Sequence, residues 1–320
     1  MCSLAVKKFK VVNCILQKSI FDNNVINLIL TQYWKILDNK RKILLDWIDI
    51  DKLNWYELSR NINSIDLLKT NIDKINWYSL SYNENAIDLL KTNIDKTNWL
   101  GLVCNRKATS LLKANFKKLT KKDWYYLSRH SRDMSLLKDN LDKVNWRLLS
   151  KNENAIQLLY NNFEKIDWNG LSENYNAIEL LQNNKNKINW LFLSKNKNAI
   201  DLLKDKLTYN IIWYFLSANE NASCLLKTDL TKVDWNVLSA NINAIELLKD
   251  NLEKVNWSLL SKNKNAIDLL KNNKDKINYN FLSENENGME LLKENIDKIN
   301  WFNISKNPSI FCDENMPLII

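Results

Sequence analysis

Residues 146–167 read W-R-L-L-S-K-N-E-N-A-I-Q-L-L-Y-N-N-F-E-K-I-D, and the same 22-residue phrase runs through most of the chain. Its leading aromatic recurs at Trp55, Trp77 and Trp99, then, after a three-residue insertion, at Trp124, Trp146, Trp168 and Trp190. After a one-residue insertion it returns at Trp213, Trp235, Trp257, Tyr279 and Trp301. All eleven full copies contain an adjacent Leu-Leu pair, from Leu67-Leu68 to Leu291-Leu292. A fixed period of about 20–50 residues marks stacked supersecondary units that share one continuous core.

Within a unit the apolar spacing is helical. Trp146 and Leu149 stand three apart, and Ala155, Ile156, Leu159 and Phe163 follow at steps of one, three and four. Asn or Asp precedes all of these aromatics but Trp213 where a helix N-cap belongs, as at Asn76, Asp123, Asn145, Asp167 and Asp234. A second cap is expected at the asparagine before Ala, paired with an acid or Gln three residues later in a capping box: Asn85 with Asp88, Asn154 with Gln157, Asn176 with Glu179, Asn198 with Asp201, Asn243 with Glu246, Asn265 with Asp268. Ser-x-Asn, as in Ser150 and Asn152, is expected to end the first helix in a left-handed turn conformation that Asn tolerates. Each unit therefore reads as a short helix and a second, longer one. Neither is stable alone, since isolated helices under about 12 residues are marginal in water. Stacking supplies the stability: one Trp and several aliphatics per unit, each contributing about 1.5–3 kcal/mol when fully buried.

The fold class expected is all-α, an α-solenoid of about twelve 22-residue two-helix repeats with terminal caps and with indoles nesting from unit to unit. At about 8–10 Å per unit it would extend as a curved rod of about 100 Å. The alternative, a leucine-rich-repeat-like horseshoe, needs a leucine two positions after L-x-x-L, where Lys151 or Glu173 stands instead. Three segments follow: an N-terminal helical cap with a degenerate repeat (1–54), the repeat array (55–307) and a C-terminal cap or tail (308–320). The amphipathic pattern Ile26, Ile29, Leu30, Tyr33, Trp34, Leu37 predicts a helix over 24–37.

Composition narrows the function classes. Three glycines and two prolines oppose a turn-rich all-β fold. Five scattered cysteines (Cys2, Cys14, Cys104, Cys224, Cys312), without C-x-x-C spacing, fit a reduced intracellular compartment rather than a disulfide framework or a zinc site. No apolar run reaches the roughly 18 residues of a membrane span. The net charge of +9 comes from 40 Lys and 6 Arg against 37 acids, in a composition rich in residues with A/T-rich codons. The excess is local. Residues 105–132 hold nine basic groups (Arg106, Lys107, Lys113, Lys117, Lys118, Lys121, Lys122, Arg129, Arg132) and one acid, Asp123, whereas 133–320 carry 23 basic and 25 acidic groups. The same stretch contains the three-residue insertion and loses the usual polar signature, with Val103, Lys107 and His130 at Ser and Asn positions. Two readings follow: an anion- or partner-binding patch, or a solvated loop where the repeat has decayed.

One histidine and three glycines cannot supply a repeated nucleophile–base pair or a phosphate-cradling loop, so no enzyme, cofactor or metal is expected. The unit W-x-x-L-S-x-N-x-N-A-I-x-L-L-x-x-N-x-D-K-I-N, as in residues 257–278, resembles the short repeats of proteins encoded by large amoeba-infecting DNA viruses of the mimivirus kind. There the helix link reads N-P-N; here it is mostly N-E-N or N-K-N, and only Asn307-Pro308 keeps the proline. The resemblance covers about 44–310 and implies a helical-repeat architecture and a viral origin, with no activity attached. The expected function is a non-enzymatic repeat scaffold for protein–protein interaction in the host-cell cytoplasm. An aromatic stripe at Tyr56, Tyr78, Tyr125 and Tyr214 is the candidate contact. The alternatives are nonspecific, salt-sensitive nucleic-acid or polyanion binding through 105–132, and a structural component of the virion.

Overall fold

The computed structural model describes residues 41–204 and 210–314, so the helix expected over 24–37 lies outside the described residues. Units are numbered here from their aromatics, unit one at Trp55 and unit twelve at Trp301, with the aromatic as position 1. The described residues are overwhelmingly helical, and the horseshoe alternative is excluded because no strand occurs in any repeat.

Unit five shows why the phrase folds this way. Asn145 caps the helix Trp146–Ser150 by accepting from the Leu148 amide at 3.0 Å. The Ser150 hydroxyl donates to the Trp146 carbonyl (2.8 Å) and accepts from the Asp167 amide (3.0 Å), tying the start of the next unit to the end of this helix. The second helix, Ile156–Tyr160, is short rather than long. Asn162 closes it by donating from its side chain to the Leu158 carbonyl, and a single 3-10 turn, Phe163–Lys165, leads to the next cap.

Two expected roles for asparagine are corrected. No non-glycine residue among the described ones has positive φ. The residue ending the first helix is extended instead, as at Asn61 with φ −68° and ψ 123°. The second helix starts from Ala, with no side-chain cap, so the capping boxes do not form. Both asparagines act between units. The Asn174 side chain donates to the Ser150 backbone carbonyl (3.0 Å) and the Asn152 backbone carbonyl (2.8 Å) of the preceding unit, while its Oδ1 accepts from the Asn176 amide. The Asn176 side chain then donates to Glu153 O at 3.0 Å. This buried rung repeats at Asn61, Asn83, Asn105, Asn152, Asn174, Asn196, Asn219, Asn241, Asn263, Asn285 and Asn307. Each gives a buried serine carbonyl its donor, and all but Asn152 add a second donor to an asparagine carbonyl, which also accepts a backbone amide three residues on, as Asn152 O does from Ala155 N.

Leucine, not tryptophan, forms the dry centre. Leu149, Ala155 and Leu159 are fully buried, and their equivalents elsewhere are nearly so. Apart from Trp124 and Trp213, the described indoles of the array are half-buried and pack against this core from its margin. The expected nesting of indole on indole is replaced by a cation–π lid: in ten of the eleven full units the position-20 lysine lies over its own aromatic, as with Lys165 over Trp146 at 4.8 Å and Lys254 over Trp235 at 4.7 Å. Trp124 and Trp213 follow the two insertions. Their helices, Lys121–His130 and Asn210–Ala218, begin three residues before the aromatic, and the added turn covers the ring.

The array is not an open rod, because unit twelve packs on unit one. Within the compact unit Leu44–Phe311, the helix Trp301–Lys306 packs against Trp55–Arg60 as neighbouring first helices do elsewhere. The rung is complete here too. Asn61 donates to the Ser305 and Asn307 carbonyls at 3.1 and 3.0 Å, and Asn63 to Pro308 O at 2.9 Å. Residues 50–54 (I-D-K-L-N) supply what unit twelve lacks: Lys52 lies over Trp301, and the Asn54 amide donates to Ser305 Oγ at 2.8 Å. Leu45 N donates to Ile310 O, and the strands β1 (Lys42–Leu44) and β2 (Phe311–Asp313) pair in antiparallel register. Beyond this unit, Arg41 faces Glu314 and Lys42 faces Asp313 in ion pairs of 3.4 and 2.6 Å.

Candidate interaction surfaces

Closure gives the first helices a defined outward face. Neighbouring first helices pack directly on one another, and neighbouring second helices pack less closely, so the first helices form the smaller, inner circuit. Positions 1, 4 and 5 of each first helix turn to the core. Positions 2 and 6, one helical turn apart, point away from the second-helix layer and so line the inner face.

At position 2 the expected stripe becomes an arc. Tyr56, Tyr78 and Tyr125 are each 45–47% exposed, and so is Phe302 of unit twelve. Because the circuit closes, Phe302, Tyr56, Tyr78, Leu100 and Tyr125 occupy five consecutive units. The remaining position-2 residues are Arg147, Asn169, Leu191, Tyr214, Asn236, Ser258 and Asn280, with Tyr214 the sole aromatic and outside the arc. Cations sit on the arc's ring faces: the Arg60 guanidinium lies 4.8 Å from the Tyr82 centroid, and Lys306 Nζ 4.5 Å from that of Phe302. Burial, and then its hydrogen bond with Tyr78, push the Tyr82 hydroxyl up to about 12.

Position 6 carries a feature the sequence reading missed. Lys151, Glu173 and Lys195 stand 22 residues apart and form a continuous bridge, with Nζ–O distances of 2.8 and 3.1 Å. Lys262, Glu284 and Lys306 repeat it at 2.6 and 3.6 Å. The K–E–K alternation at the repeat period was the available signal.

The nine basic residues of 105–132 do not converge on one patch. Arg106, Arg129 and Arg132 line one cavity of about 290 Å³ with His130, Asn152, Glu153 and Asn154. Lys117 and Lys121 line another of about 740 Å³, beside Phe116, Leu119, Trp124 and Lys143. Lys113 is paired with Asp133 at 2.6 Å; that hydrogen bond, followed by those from Ser135, holds the Asp133 carboxyl down at about 2. Lys107 donates to Asn85, and Lys118 lies over Trp99. Lys117, Lys121, Lys122 and Arg132 are exposed and make no ion pair among the described residues.

No group of three or more His, Cys, Asp and Glu among the described residues is arranged to hold a metal ion. Among them, no helix is long and apolar enough to cross a membrane. No protein-family model matches the chain, and neither a curated protein nor a solved structure matches it.

Proposed function

We propose that the chain is a non-enzymatic scaffold whose inner face binds another protein through the arc Phe302, Tyr56, Tyr78, Leu100 and Tyr125. The observation that carries this reading is the clustering itself. At position 2, four exposed aromatics fall in five consecutive units, across a junction that joins the two ends of the array, while the other seven units carry one there. Aromatic side chains offer large contact area at small entropic cost and are enriched in protein interfaces. Arg60 and Lys306 at the neighbouring position 6 favour a partner segment that mixes apolar and acidic residues. Twelve inner helices at about 8–10 Å spacing, each about 10–12 Å thick, leave an opening of roughly 20–25 Å. That admits a helix or loop of the partner.

The test is affinity purification with quantitative mass spectrometry from cells that express the protein. A variant combining Tyr56→Ser, Tyr78→Ser, Tyr125→Ser and Phe302→Ser should lose the stoichiometric partner, with helicity unchanged. A control combining Asn169→Ser, Asn236→Ser and Asn280→Ser should keep it. Recovery of no stoichiometric partner by the unaltered chain, or equal recovery by both variants, would refute the reading.

A second reading rests on Lys117, Lys121 and Lys122, exposed cations without an acidic partner. They support weak polyanion binding that falls steeply with salt. Reversing Lys117, Lys118, Lys121 and Lys122 to Glu should abolish retention on heparin.

A further inference from the structure

Unit four breaks the asparagine ladder. Its first helix runs one residue further than the others, to His130, and Ser131 takes the place of the buried asparagine. The Ser131 hydroxyl donates to Asp133 O within its own loop, so no side chain from unit four makes the usual rung to unit three. The next junction is altered as well. Asn152 reaches Ser131 O instead of a position-7 carbonyl. Asn154, whose equivalents donate to the preceding unit, turns back to Asn152 Oδ1 at 3.4 Å. The missing amide and the shifted loop leave the 290 Å³ recess.

What lines the recess is strongly one-sided. Three guanidinium groups, from Arg106 of unit three and Arg129 and Arg132 of unit four, surround it with His130, and Glu153 is the one acid in its wall. Arg129 is held in place by donating from one terminal nitrogen to Lys151 O at 2.9 Å, which leaves its other donors available. Arg106 is only loosely paired, with Glu84 at 3.7 Å and both side chains partly exposed. Partial burial, and then the charges of Arg129 and Arg106, hold the His130 pKa below its ordinary value. With three guanidinium groups against Glu153 in the wall and Glu84 beside Arg106, the recess keeps a net positive charge. Its volume lies at the lower end of small-ligand pockets, about 300–1,000 Å³. Guanidinium forks match tetrahedral oxyanions bidentately, whereas a lone ammonium acts as a point charge.

The geometry points to this recess as a binding site for a phosphate group, either free or as a monoester, held by Arg106, Arg129 and Arg132 with His130 at its rim. The site is independent of the aromatic arc and stands or falls separately from it.

His130 is the chain's only histidine, so its ring resonances report on this recess alone. The groups facing it are Arg106, Arg129, Arg132 and Glu153, with Glu84 and Lys151 one contact away. A bound anion within about 4–6 Å favours the protonated ring. Titration of the full chain with inorganic phosphate, and separately with O-phosphoserine, should saturate and raise the His130 midpoint by about one pH unit. Sodium chloride at matched ionic strength should not. Arg106→Gln and Arg132→Gln, at exposed positions, should each weaken binding about tenfold, with the circular dichroism spectrum unchanged. Lys117→Gln with Lys121→Gln, in the other cavity, should leave it intact. Saturation by inorganic phosphate alone assigns a free-anion site; saturation by both assigns a phosphomonoester site. A His130 response equal in phosphate and chloride, or one untouched by both arginine substitutions, overturns the proposal.

Discussion

Replacing Asn61 with alanine tests closure directly, because Asn61 has a different fate in a closed circuit and in an open array. In the closed molecule its side chain donates to Ser305 O and Asn307 O and accepts from Asn63 N, at 3.1, 3.0 and 3.0 Å, and it is 3% exposed. Asn174, deep in the array, makes the same three bonds at 3.0, 2.8 and 3.1 Å and is 1% exposed. Three hydrogen bonds at about 1 kcal/mol each give a loss of about 3 kcal/mol at either site. Water cannot readily reach the abandoned carbonyls to reduce it. If the array were open, Asn61 would stand on a solvated end, and two of its three bonds would not exist. The comparison is made by urea denaturation of Asn61→Ala, Asn174→Ala and the unaltered chain, followed by circular dichroism. Equal downward shifts of the midpoint, without change of slope, are expected. A shift for Asn174→Ala with almost none for Asn61→Ala would show that units one and twelve do not meet in solution.

The other expectations concern the charges laid over this frame. Burial alone would raise the Glu173 carboxyl, but hydrogen bonds from Lys151 and Lys195 outweigh it and lower its pKa below 4.5. Its contribution is therefore fully present above that ordinary value and disappears as pH falls through the lowered one. Glu173→Gln should cost about 1 kcal/mol at pH 7 and low salt, less at high salt, and should flatten the acid limb of the stability profile. Lys165→Met should remove the cation over Trp146 while keeping most of the stem packing; a loss of about 0.5–1 kcal/mol is expected, read as a lower urea midpoint with altered tryptophan fluorescence.

Much of the frame could be read from the residues alone. The period set the unit, and in ten of the twelve units the residue before the aromatic is the N-cap that its type and place indicate: Asn145 and Asp234 accept from the third helical amide as expected. Asp123 is a correction: the three-residue insertion starts that helix earlier, so Thr120 is the cap and Asp123 is its capping-box partner. The role of the N-x-N pair was not legible. An asparagine that caps its own helix and one that reaches 22 residues back look identical in sequence, and the difference lies in where the neighbouring unit's carbonyls fall. The indoles were misleading for a related reason. Their size suggested the centre, yet Leu149 from the first helix and Leu159 from the second fill it completely, and Lys165 covers the ring at the margin. The candidate sites were half visible. The tyrosines were marked by position, but Phe302 joins them only through closure, and the basic run mixed two separate cavities that contiguity in sequence cannot distinguish.

Closure itself left a trace that an open array does not explain. Curvature in a repeat protein accumulates from a small rotation per unit, and twelve units at about 30° each complete a turn. A period says nothing of that angle. The two ends of the repeat array do, because they are complementary fragments of one repeat. Trp301 begins a unit that has its helix, its serine and its asparagine but no Leu-Leu pair and no I-D-K-I-N ending, while residues 50–54 carry that ending with no intact unit before it. Placed together, they restore the lysine lid, the serine-to-amide tie and the rung. Beside them, the Leu45 N–Ile310 O hydrogen bond and the buried Ile310 and Phe311 continue the core. In an open array, terminal units must become polar to shield the last rung from water. Here both faces of the junction keep the ordinary inter-unit chemistry of Ser305, Asn307, Asn54 and Asn61, which is stable only if the two faces cover each other.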